Sequence, residues 1–149
     1  MNPKVLKLLI NLYPPYWGTG ITVRSISPDY RDICVQMKMR WYNRNYVKTH
    51  FGGSLYSMTD PFFMLMLIHI LGKEFVVWDK AAHIDFIKAE RGTVTARFLI
   101  KEEQIEEIIR NTSGGDKYLP EFSVDIENRA GDKIARVVKT LYIRKKGLS

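Results

Sequence analysis

The sequence predicts an α+β fold in which a curved antiparallel sheet of about five to six strands wraps around one central helix. The first supporting observation is the segment from Phe62 to Leu71, which is apolar on every face, as is typical of a helix buried on all sides. The second is a set of segments that alternate apolar and polar residues with the period of a half-buried strand. Short connections between these segments favour antiparallel pairing.

The first predicted element is a helix from Pro3 to about Leu12. Asn2 followed by Pro3 is typical of a helix start, because asparagine caps the first amides and proline suits the first helical position. The apolar residues that follow the helical period are Val5, Leu8, Leu9 and Leu12. Pro14 and Pro15 are expected to end the helix. No small-residue cleavage site follows, so the segment is interpreted as a helix and not as a signal peptide.

A single domain spanning residues 1–149 is expected, because no linker divides the chain. The predicted strands cover residues 20–27, 32–40, 75–87, 92–100, 122–127 and 134–144. The central helix is predicted over residues 54–71 and stops at Gly72. A short amphipathic helix is predicted over residues 102–110.

The chain carries 23 lysines and arginines against 16 acidic residues, a net charge of +7. Basic proteins attract nucleic acid, anionic membranes or phosphorylated small molecules. Neither a recognition-helix pattern nor an interleaved arginine and aromatic stripe is present, so nucleic-acid binding is not expected. The longest apolar stretch is far shorter than the roughly 18 residues of a membrane span, so no span is predicted.

Cys34 is the single cysteine, which excludes an intramolecular disulfide. The sequence also lacks CxxC and Cys/His zinc spacings, so no metal site is predicted. This cysteine usage predicts a protein of a reducing compartment, namely the cytoplasm.

Gly52 and Gly53 directly precede the central helix. The first amides of a helix have no intrahelical partner and carry the positive end of the helix dipole. Glycine at this position lets a ligand approach the backbone closely. Such a terminus can hold a carbonyl oxygen that becomes negative during a reaction, which is the task of an oxyanion hole.

Asp60 lies seven residues after Gly53, about two helical turns along the segment. Its neighbours are mostly apolar, and a carboxylate among them is costly unless it is paired or used. Apolar surroundings favour proton uptake by a carboxylate, which suits a general base. Pro61 cannot bond back to the carbonyl of Ser57, so a kink is predicted. The alternative is that Asp60 caps a second helix that begins at Pro61.

Three polar residues on the strand after the central helix have more than one interpretation. Asp79, His83 and Asp85 share one face at a period of two. They form either a metal cluster or the part of a strand that crosses from a buried to an exposed region. Asp79 is also positioned to contact the Asp60 site from the neighbouring strand.

These residues together resemble a known family. An asparagine, a His-Gly-Gly sequence and an acidic residue on the central helix are features of the hotdog-fold acyl-CoA thioesterases, in particular the phenylacetyl-CoA thioesterase type. Asn45 stands seven residues before Gly52, as the family's asparagine does. The chain is more closely similar to an uncharacterised bacterial branch of that superfamily, marked by Tyr-Pro-Pro-Tyr near the start and His-Phe-Gly-Gly at the helix.

The resemblance implies hydrolysis of an acyl-CoA-type thioester to a free acid and a thiol, with no cofactor other than the coenzyme A of the substrate. It implies that Asp60 either activates water or itself attacks the thioester, and the preferred interpretation is that it drives the attack of water. It also implies that the amides of Gly52 and Gly53 polarise the carbonyl. Asn45 is implied to position the water or the carbonyl, and His50 is the candidate for the family's histidine.

One departure from the family leaves an alternative open. The family's histidine directly precedes the first glycine, but this chain has Phe51 there and His50 one residue earlier. Either the loop bulges to restore the imidazole, or its role is lost. The alternative function is therefore a non-catalytic hotdog module that binds acyl chains or acyl thioesters without turnover.

The substrate is expected to be an acyl-CoA or an acyl-carrier thioester. Arginine and lysine favour the phosphates of coenzyme A, and the candidates are Lys88, Arg91, Arg136 and Lys139. Residues in or next to the motif that are predicted to contact the substrate are Trp41, Phe51 and Tyr56. A homodimer or a dimer of dimers is expected, since one sheet of this size leaves an edge and an apolar face to cover.

Overall fold

The computed structural model of the protein describes residues 1–147, so the last two residues of the predicted domain lie outside the described residues. The helices are α1 (Pro3–Asn11), α2 (Pro14–Thr19), α3 (Gly52–Ser57), α4 (Phe62–Leu71) and α5 (Glu102–Thr112). The strands are β1 (Ile21–Ile26), β2 (Asp32–Met37), β3 (Phe75–Phe86), β4 (Val94–Leu99), β5 (Lys117–Tyr118), β6 (Glu121–Asn128) and β7 (Lys133–Lys145).

All seven strands belong to one antiparallel sheet with the order β1-β2-β4-β6-β7-β3, and the two-residue β5 pairs with β7. The predicted antiparallel sheet around a central helix is therefore confirmed, and β5 is the strand that the sequence did not predict. Four large side chains of α4 are fully buried in the resulting core, namely Phe62, Phe63, Met66 and Leu67. Burying apolar side chains of this size is the main favourable contribution to folding.

The central helical segment is broken into α3 and α4 by residues 58–61. Pro61 has no amide hydrogen, and the amides of Thr59 and Asp60 bond only three residues back, to the carbonyls of Tyr56 and Ser57. The predicted kink is thus a complete interruption. The segment Gly52–Leu71 is long and apolar enough to cross a membrane by length and composition. Here its apolar side chains pack against the sheet as the core of the domain.

The N-terminal region differs from the prediction in two ways. Asn2 caps α1 as expected, and its Oδ1 accepts from the Lys4 amide at 2.8 Å. Pro14 and Pro15 do not only end a helix, because they also form the first turn of α2, where prolines are favoured. Second, the side chains of α1 that face the core are Leu6 and Ile10. The apolar residues that follow the helical period, Val5, Leu8, Leu9 and Leu12, are exposed instead.

The edge strand β3 contains a β-bulge between Asp79 and Ala81. The bulge shifts the alternation, so Asp79 pairs with the inward-facing Leu141 while His83 pairs with Val138 on the other face. Asp79 therefore does not share a face with His83 and Asp85, as a strict period of two had predicted. Within residues 1–147, no group of three or more His, Cys, Asp or Glu side chains is arranged to hold a metal ion.

Candidate active site

Asp60 lies in the interruption between α3 and α4. The capping alternative is wrong, since no side chain caps the first turn of α4 and its N-cap position is Pro61. The Asp60 side chain points instead toward the sheet. Its Oδ1 accepts a hydrogen bond from the Tyr56 hydroxyl at 3.1 Å and lies 3.3 Å from the Lys139 Nζ. Oδ2 forms no hydrogen bond within the described residues.

Lys139 is a buried cation between two carboxylates. Its side chain is 1% exposed, and its Nζ lies 3.3 Å from Asp60 Oδ1 and 3.1 Å from Asp79 Oδ1. The Nζ also lies 5.5 Å from the ring centroid of Tyr56. Asp79, expected to contact the site from the next strand, does so through this lysine. We call Asp60, Asp79, Lys139 and Tyr56 the carboxylate cluster.

Burial and charge oppose each other in the carboxylate cluster. Burial acts to lower the pKa of Lys139, but the attraction of Asp79 and Asp60 outweighs it, so the pKa stands above its usual value. Burial raises the pKa of the Asp79 carboxyl, although the Lys139 ammonium opposes this shift. Burial is also the main cause of the raised pKa of Tyr56. The lysine is therefore charged at neutral pH, and it needs at least one ionised carboxylate beside it.

The environment of Asp60 differs from the apolar one that its neighbours in the sequence predicted. Its side chain is 53% exposed, so the expected desolvation is not present. The reason is the interruption of the helix, which places the residue at the surface of the core and not inside it. The carboxylate is thus held at Oδ1 by the buried Lys139 and the half-buried Tyr56, while about half of the side chain is exposed to solvent.

A pocket of about 360 Å³ lies beside Asp60. Its wall is mostly apolar and aromatic, and it includes Ile10, Tyr13, Tyr16, Pro61 and Leu65. Tyr16 is buried, donates to the Ser57 carbonyl at 3.0 Å and stacks on Phe62. Burial, followed by the charge of Asp60, raises the pKa of the Tyr16 phenol. We call this cavity the tyrosine pocket.

The glycine pair lies at the start of α3, where the backbone approaches two aromatic rings. A Cβ on Gly52 would lie 3.1 Å from the Phe86 ring, and one on Gly53 would lie 2.6 Å from the Phe51 ring. Larger residues therefore require these rings to move. Neither glycine amide donates a hydrogen bond within the described residues. The free donors expected for an oxyanion hole are present.

Asn45 and His50 lie in the loop that precedes α3. Asn45 uses its side chain within this loop, since Oδ1 accepts from the Thr49 amide at 2.9 Å and Nδ2 donates to the Thr49 hydroxyl at 2.9 Å. His50 is buried, with Nε2 at 2.7 Å from the Gly92 carbonyl, so Nε2 carries the proton. Its Nδ1 has no partner among the described residues.

Gly52, Asn45 and His50 line one pocket of about 290 Å³, together with Phe86 and Lys88. We call it the glycine pocket. The imidazole therefore reaches the cavity next to the first glycine, while Phe51 lines a different cavity with Gly53. Asp60 lines neither of these two cavities.

The four predicted phosphate-binding residues have different surroundings. Lys139 is buried in the carboxylate cluster, so its predicted role in holding surface phosphates is wrong. Lys88 pairs with Asp132 at 2.6 Å, and Arg136 pairs with Asp125 at 3.1 Å. Arg91 is exposed and lies in the loop whose Glu90 and Gly92 carbonyls contact His50.

The three residues predicted to contact the substrate are also separated. Tyr56 belongs to the carboxylate cluster and lines the tyrosine pocket. Phe51 is half exposed and packs on Gly53. Trp41 is 80% exposed and contacts Tyr42 edge-on, with ring centroids 5.5 Å apart, away from the pockets next to Asp60 and Gly52.

Two residues of this site were not predicted in their observed roles, and one of them had a signal in the sequence. Lys139 lies at an inward position of β7, between Val137 and Leu141 in a strict alternation. A lysine at an inward position of a strand requires a buried carboxylate nearby. Tyr16 had no such signal, since its position depends on how α2 folds back over α3.

Residues 3–143 match DUF4442, a domain of unknown function. The chain belongs to the DUF4442 family. No curated protein matches this DUF4442 chain.

Solved structures resemble the DUF4442 chain over nearly its whole length. A probable thioesterase of unknown function from Pseudomonas aeruginosa aligns with a TM-score of 0.83 at 13% identity, covering 97% of both chains. A thioesterase from Haemophilus influenzae aligns with a TM-score of 0.70 at 13% identity, covering 97% of this chain and 92% of the other. A hypothetical thioesterase from Streptococcus pneumoniae, solved with coenzyme A, aligns with a TM-score of 0.60 at 16% identity, covering 85% and 87%.

These likenesses show that the DUF4442 chain has the same fold as these structures, the hotdog fold. The predicted fold, and with it the resemblance in fold to the hotdog proteins, is confirmed.

Proposed function

We propose that the protein is a hydrolase that cleaves a coenzyme A-type acyl thioester to a free acid and a thiol. The observation that carries this proposal is the state of Asp60, whose Oδ1 is held by Tyr56 and Lys139 while Oδ2 is unbonded beside an aromatic pocket. A carboxylate oriented in this way is suited to take a proton from an attacking water. The hotdog fold and the coenzyme A in the Streptococcus pneumoniae relative support the substrate class.

The second half of the proposed chemistry lies at the glycine pair. The unbonded amides of Gly52 and Gly53 are suited to stabilise the negative oxygen of a tetrahedral intermediate. Seven residues separate Gly53 from Asp60, which corresponds to about 10 Å of rise in a continuous helix. The unbonded amides at the start of a helix also point away from its body, so a carbonyl bonded to them lies on the side remote from Asp60 of the same protomer.

We therefore propose a composite site in which Asp60 of one protomer faces the glycine amides of its partner. The strand β3 supports a dimer, since it lies at the edge of the sheet and exposes large side chains such as Trp78 and Phe86. An unpaired edge strand of this length is a ready surface for a second copy. A two-fold dimer then contains two equivalent sites.

In the proposed reaction, the thioester carbonyl oxygen accepts hydrogen bonds from the glycine amides. Asp60 Oδ2 takes a proton from water as the water oxygen attacks the carbonyl carbon. The tetrahedral intermediate then collapses, the carbon–sulfur bond breaks, and the thiolate takes up the proton. When Asp60 is transiently neutral, Asp79 still balances the buried Lys139 ammonium.

The tyrosine pocket is the proposed site of the acyl group. Its wall of Tyr13, Tyr16, Pro61 and Leu65 accepts an apolar or aromatic acyl chain, in agreement with the usual composition of ligand pockets. Coenzyme A then extends away from Asp60 toward the partner's glycine pocket. The proposed substrate and the single Cys34 fit the expected cytoplasmic location.

Subunit complementation tests the proposal directly. Asp60→Asn and Gly52→Pro each inactivate one half of the site, so each homodimer is expected to release no thiol from acyl-CoA. In a mixture of the two chains, half of the dimers are mixed and each contains one intact site, so activity returns to about a quarter of the wild-type value. An isolated mixed dimer without activity would sink the composite site.

One observation favours a second function, binding without turnover. Phe51 directly precedes Gly52, at the position where the hotdog thioesterases that the sequence resembles have their histidine, and its side chain is half exposed. A binding module predicts a tight complex between the wild-type protein and an acyl-CoA, measured by calorimetry, with no thiol released over hours. Thiol release that is lost in Asp60→Asn would favour the hydrolase over the binding module.

A further inference from the structure

Nearly all of the net positive charge of this protein lies in its first 59 residues, because acidic residues are scarce there. They contain eight of the 23 lysines and arginines but only two of the 16 acidic residues, Asp29 and Asp32. This segment therefore accounts for +6 of the net charge of +7, and residues 60–149 carry only +1. Residues 1–28 and residues 33–59 contain no acidic residue at all. Proposed coenzyme A docking by Lys88, Arg91 or Arg136 does not explain this distribution.

The same segment exposes a row of aliphatic side chains on α1. The α1 stripe consists of Val5, Leu8, Leu9 and Leu12, spaced three and four residues apart on one helical face. Each of these side chains is between 48% and 58% exposed. The face that the helical period marked as apolar is thus turned outward, while Leu6 and Ile10 contact the core. An exposed apolar stripe of this kind marks an interaction site.

A basic groove adjoins the end of α1. It is lined by Trp17 and by the three basic side chains Arg24, Lys38 and Arg40. The Trp17 Nε1 donates to the Asn11 carbonyl at 3.2 Å, which ties the groove to the last turn of α1. The Lys7 Nζ donates to the Arg24 carbonyl at 2.7 Å, so α1 lies along β1. The stripe and the groove therefore belong to one region of the surface.

We propose that the α1 stripe and the basic groove dock this protein on a bilayer that contains anionic lipids. Amphipathic helices that lie in the membrane interface combine exposed leucines with lysines and interfacial aromatics. Here Leu8, Leu9 and Leu12 enter the acyl region, and Trp17 lies at the headgroup level, where tryptophan is favoured. Lys38, Arg40 and Arg24 meet the lipid phosphates, and each adds to the attraction.

The charge and the apolar surface of this region favour an anionic bilayer over two other partners, a second copy of the chain and nucleic acid. In a two-fold contact with a second copy, the same patch meets itself, so its unopposed positive charges would repel one another. A second copy is also the proposed occupant of the separate β3 edge. Nucleic acid fits the basic groove, but the aliphatic side chains of the α1 stripe neither stack on bases nor bind phosphates.

The docking surface has a consequence for the substrate, which rests on the proposed function. Ile10 and Tyr13 line the tyrosine pocket, and both belong to the α1–α2 region that carries the stripe. An acyl chain that resides in the membrane would reach the pocket through the same helices. Docking itself does not require hydrolysis, so the two proposals fail separately.

Vesicle co-sedimentation of the full-length protein tests the docking. We expect binding to vesicles of phosphatidylcholine with about 30% phosphatidylglycerol, little binding to pure phosphatidylcholine, and loss of binding at high ionic strength. Leu9→Ser with Leu12→Ser removes exposed apolar area, and Lys38→Glu with Arg40→Glu reverses charge. Each pair is expected to weaken binding roughly tenfold or more. The charge-matched control, Lys73→Glu with Arg129→Glu, changes exposed residues outside the basic segment and should bind like the wild type.

Five results would overturn the proposal. One is the absence of binding to the anionic vesicles, and another is binding that the leucine pair leaves unchanged. A third is a control pair that weakens binding as much as the groove pair. The fourth is a lower molecular mass in solution for the Leu9→Ser, Leu12→Ser variant than for the wild type, measured by ultracentrifugation. Such a result would mean that the α1 stripe forms a contact between copies of the chain. The fifth is a DNA duplex that fully displaces the protein from the vesicles and that binds the Leu9→Ser, Leu12→Ser variant as well as the wild type. Such a result would mean that the basic groove binds nucleic acid and not lipid.

Discussion

The two ends of the segment α3–α4 are built by different means. At the Asp60 end, Tyr56 of α3 and Lys139 of β7 contact the same carboxylate oxygen, and the buried lysine, which also pairs with Asp79, makes the arrangement depend on charge balance. At the Gly52 end, the groups of interest are backbone amides without partners, set among the rings of Phe51 and Phe86. The first end is preorganised within one chain, whereas the second presents donors that only an additional molecule can satisfy. This contrast is what points to a site shared between protomers.

The largest expected effect is that of Asp60→Asn. The amide keeps the shape of the side chain but accepts no proton, so kcat for acyl-CoA hydrolysis should fall by about 10²- to 10⁴-fold. Thiol release across a range of acyl chain lengths measures it. Asp116→Asn, at an exposed position outside β3 and outside the pockets next to Asp60 and Gly52, is the matched control and should keep full activity. Unchanged hydrolysis in Asp60→Asn places the base elsewhere.

The second effect tests the glycine end by removing one amide hydrogen. Phe51 has φ −67° and ψ 129°, which already suits a residue before proline, so Gly52→Pro should fold. Loss of one oxyanion donor is expected to lower kcat by about 10²- to 10³-fold. Gly52→Ala adds the same Cβ near Phe86 but keeps the amide. Equal losses in both variants mean that the contact with Phe86, and not the hydrogen bond, is responsible.

The third effect concerns the charge balance at the Asp60 end. Lys139→Met leaves two carboxylates without their cation and should lower the free energy of unfolding by roughly 2 kcal/mol, because both carboxylates still reach solvent. Burial already raises the pKa of Asp79, and loss of the ammonium raises it further. A carboxyl whose folded pKa is raised stabilises the fold at low pH and loses this contribution as pH rises.

The destabilisation of Lys139→Met should therefore be small near pH 4 and grow toward pH 7, as measured by urea unfolding at both values. The wild type should lose stability as pH rises above 10.5, since the folded pKa of Lys139 is raised above this usual value. Asp79→Asn is the companion variant. It leaves Lys139 paired with Asp60, so a loss equal to that of Lys139→Met contradicts the shared ion pair.

The smallest expected effect tests whether the protein recognises the phosphates of coenzyme A separately from the acyl group. Arg91 lies in the loop that contacts His50, near the glycine end. Arg91→Ala should raise KM for acyl-CoA about threefold without changing kcat, since an exposed charge contributes little. KM for the corresponding acyl-pantetheine, which lacks the nucleotide phosphates, should not change. A fall in kcat, or equal effects on both substrates, removes Arg91 from phosphate binding.

Much of the fold followed from local patterns. The cap at Asn2, the stop at Gly72, the interruption before Pro61 and the alternating strands each depend on residues close together in the chain. For the same reason, Gly52, Gly53 and Asp60 were identified as the candidate site from their spacing. Asp79 was connected to the site because a carboxylate in an apolar strand needs a partner.

Other features depended on which face of an element meets the core, and periodicity does not carry that information. The helical period of α1 marked Val5, Leu8, Leu9 and Leu12, yet the core contacts are Leu6 and Ile10. One extra residue in β3 moved Asp79 to the other face from His83. Lys139 was predicted to bind phosphate, although the alternation of β7 places it at an inward position.

The sequence by itself determined most of the elements, their order and the identity of the carboxylate and glycine groups, because turns, caps and alternation are local properties of the chain. Only the tertiary structure decided that Lys139 is the buried partner of Asp60 and Asp79, and that the α1 stripe faces outward. Both depend on contacts between residues far apart in the chain, and their energies are set by burial. Burial is a property of the assembled fold and not of any segment in it.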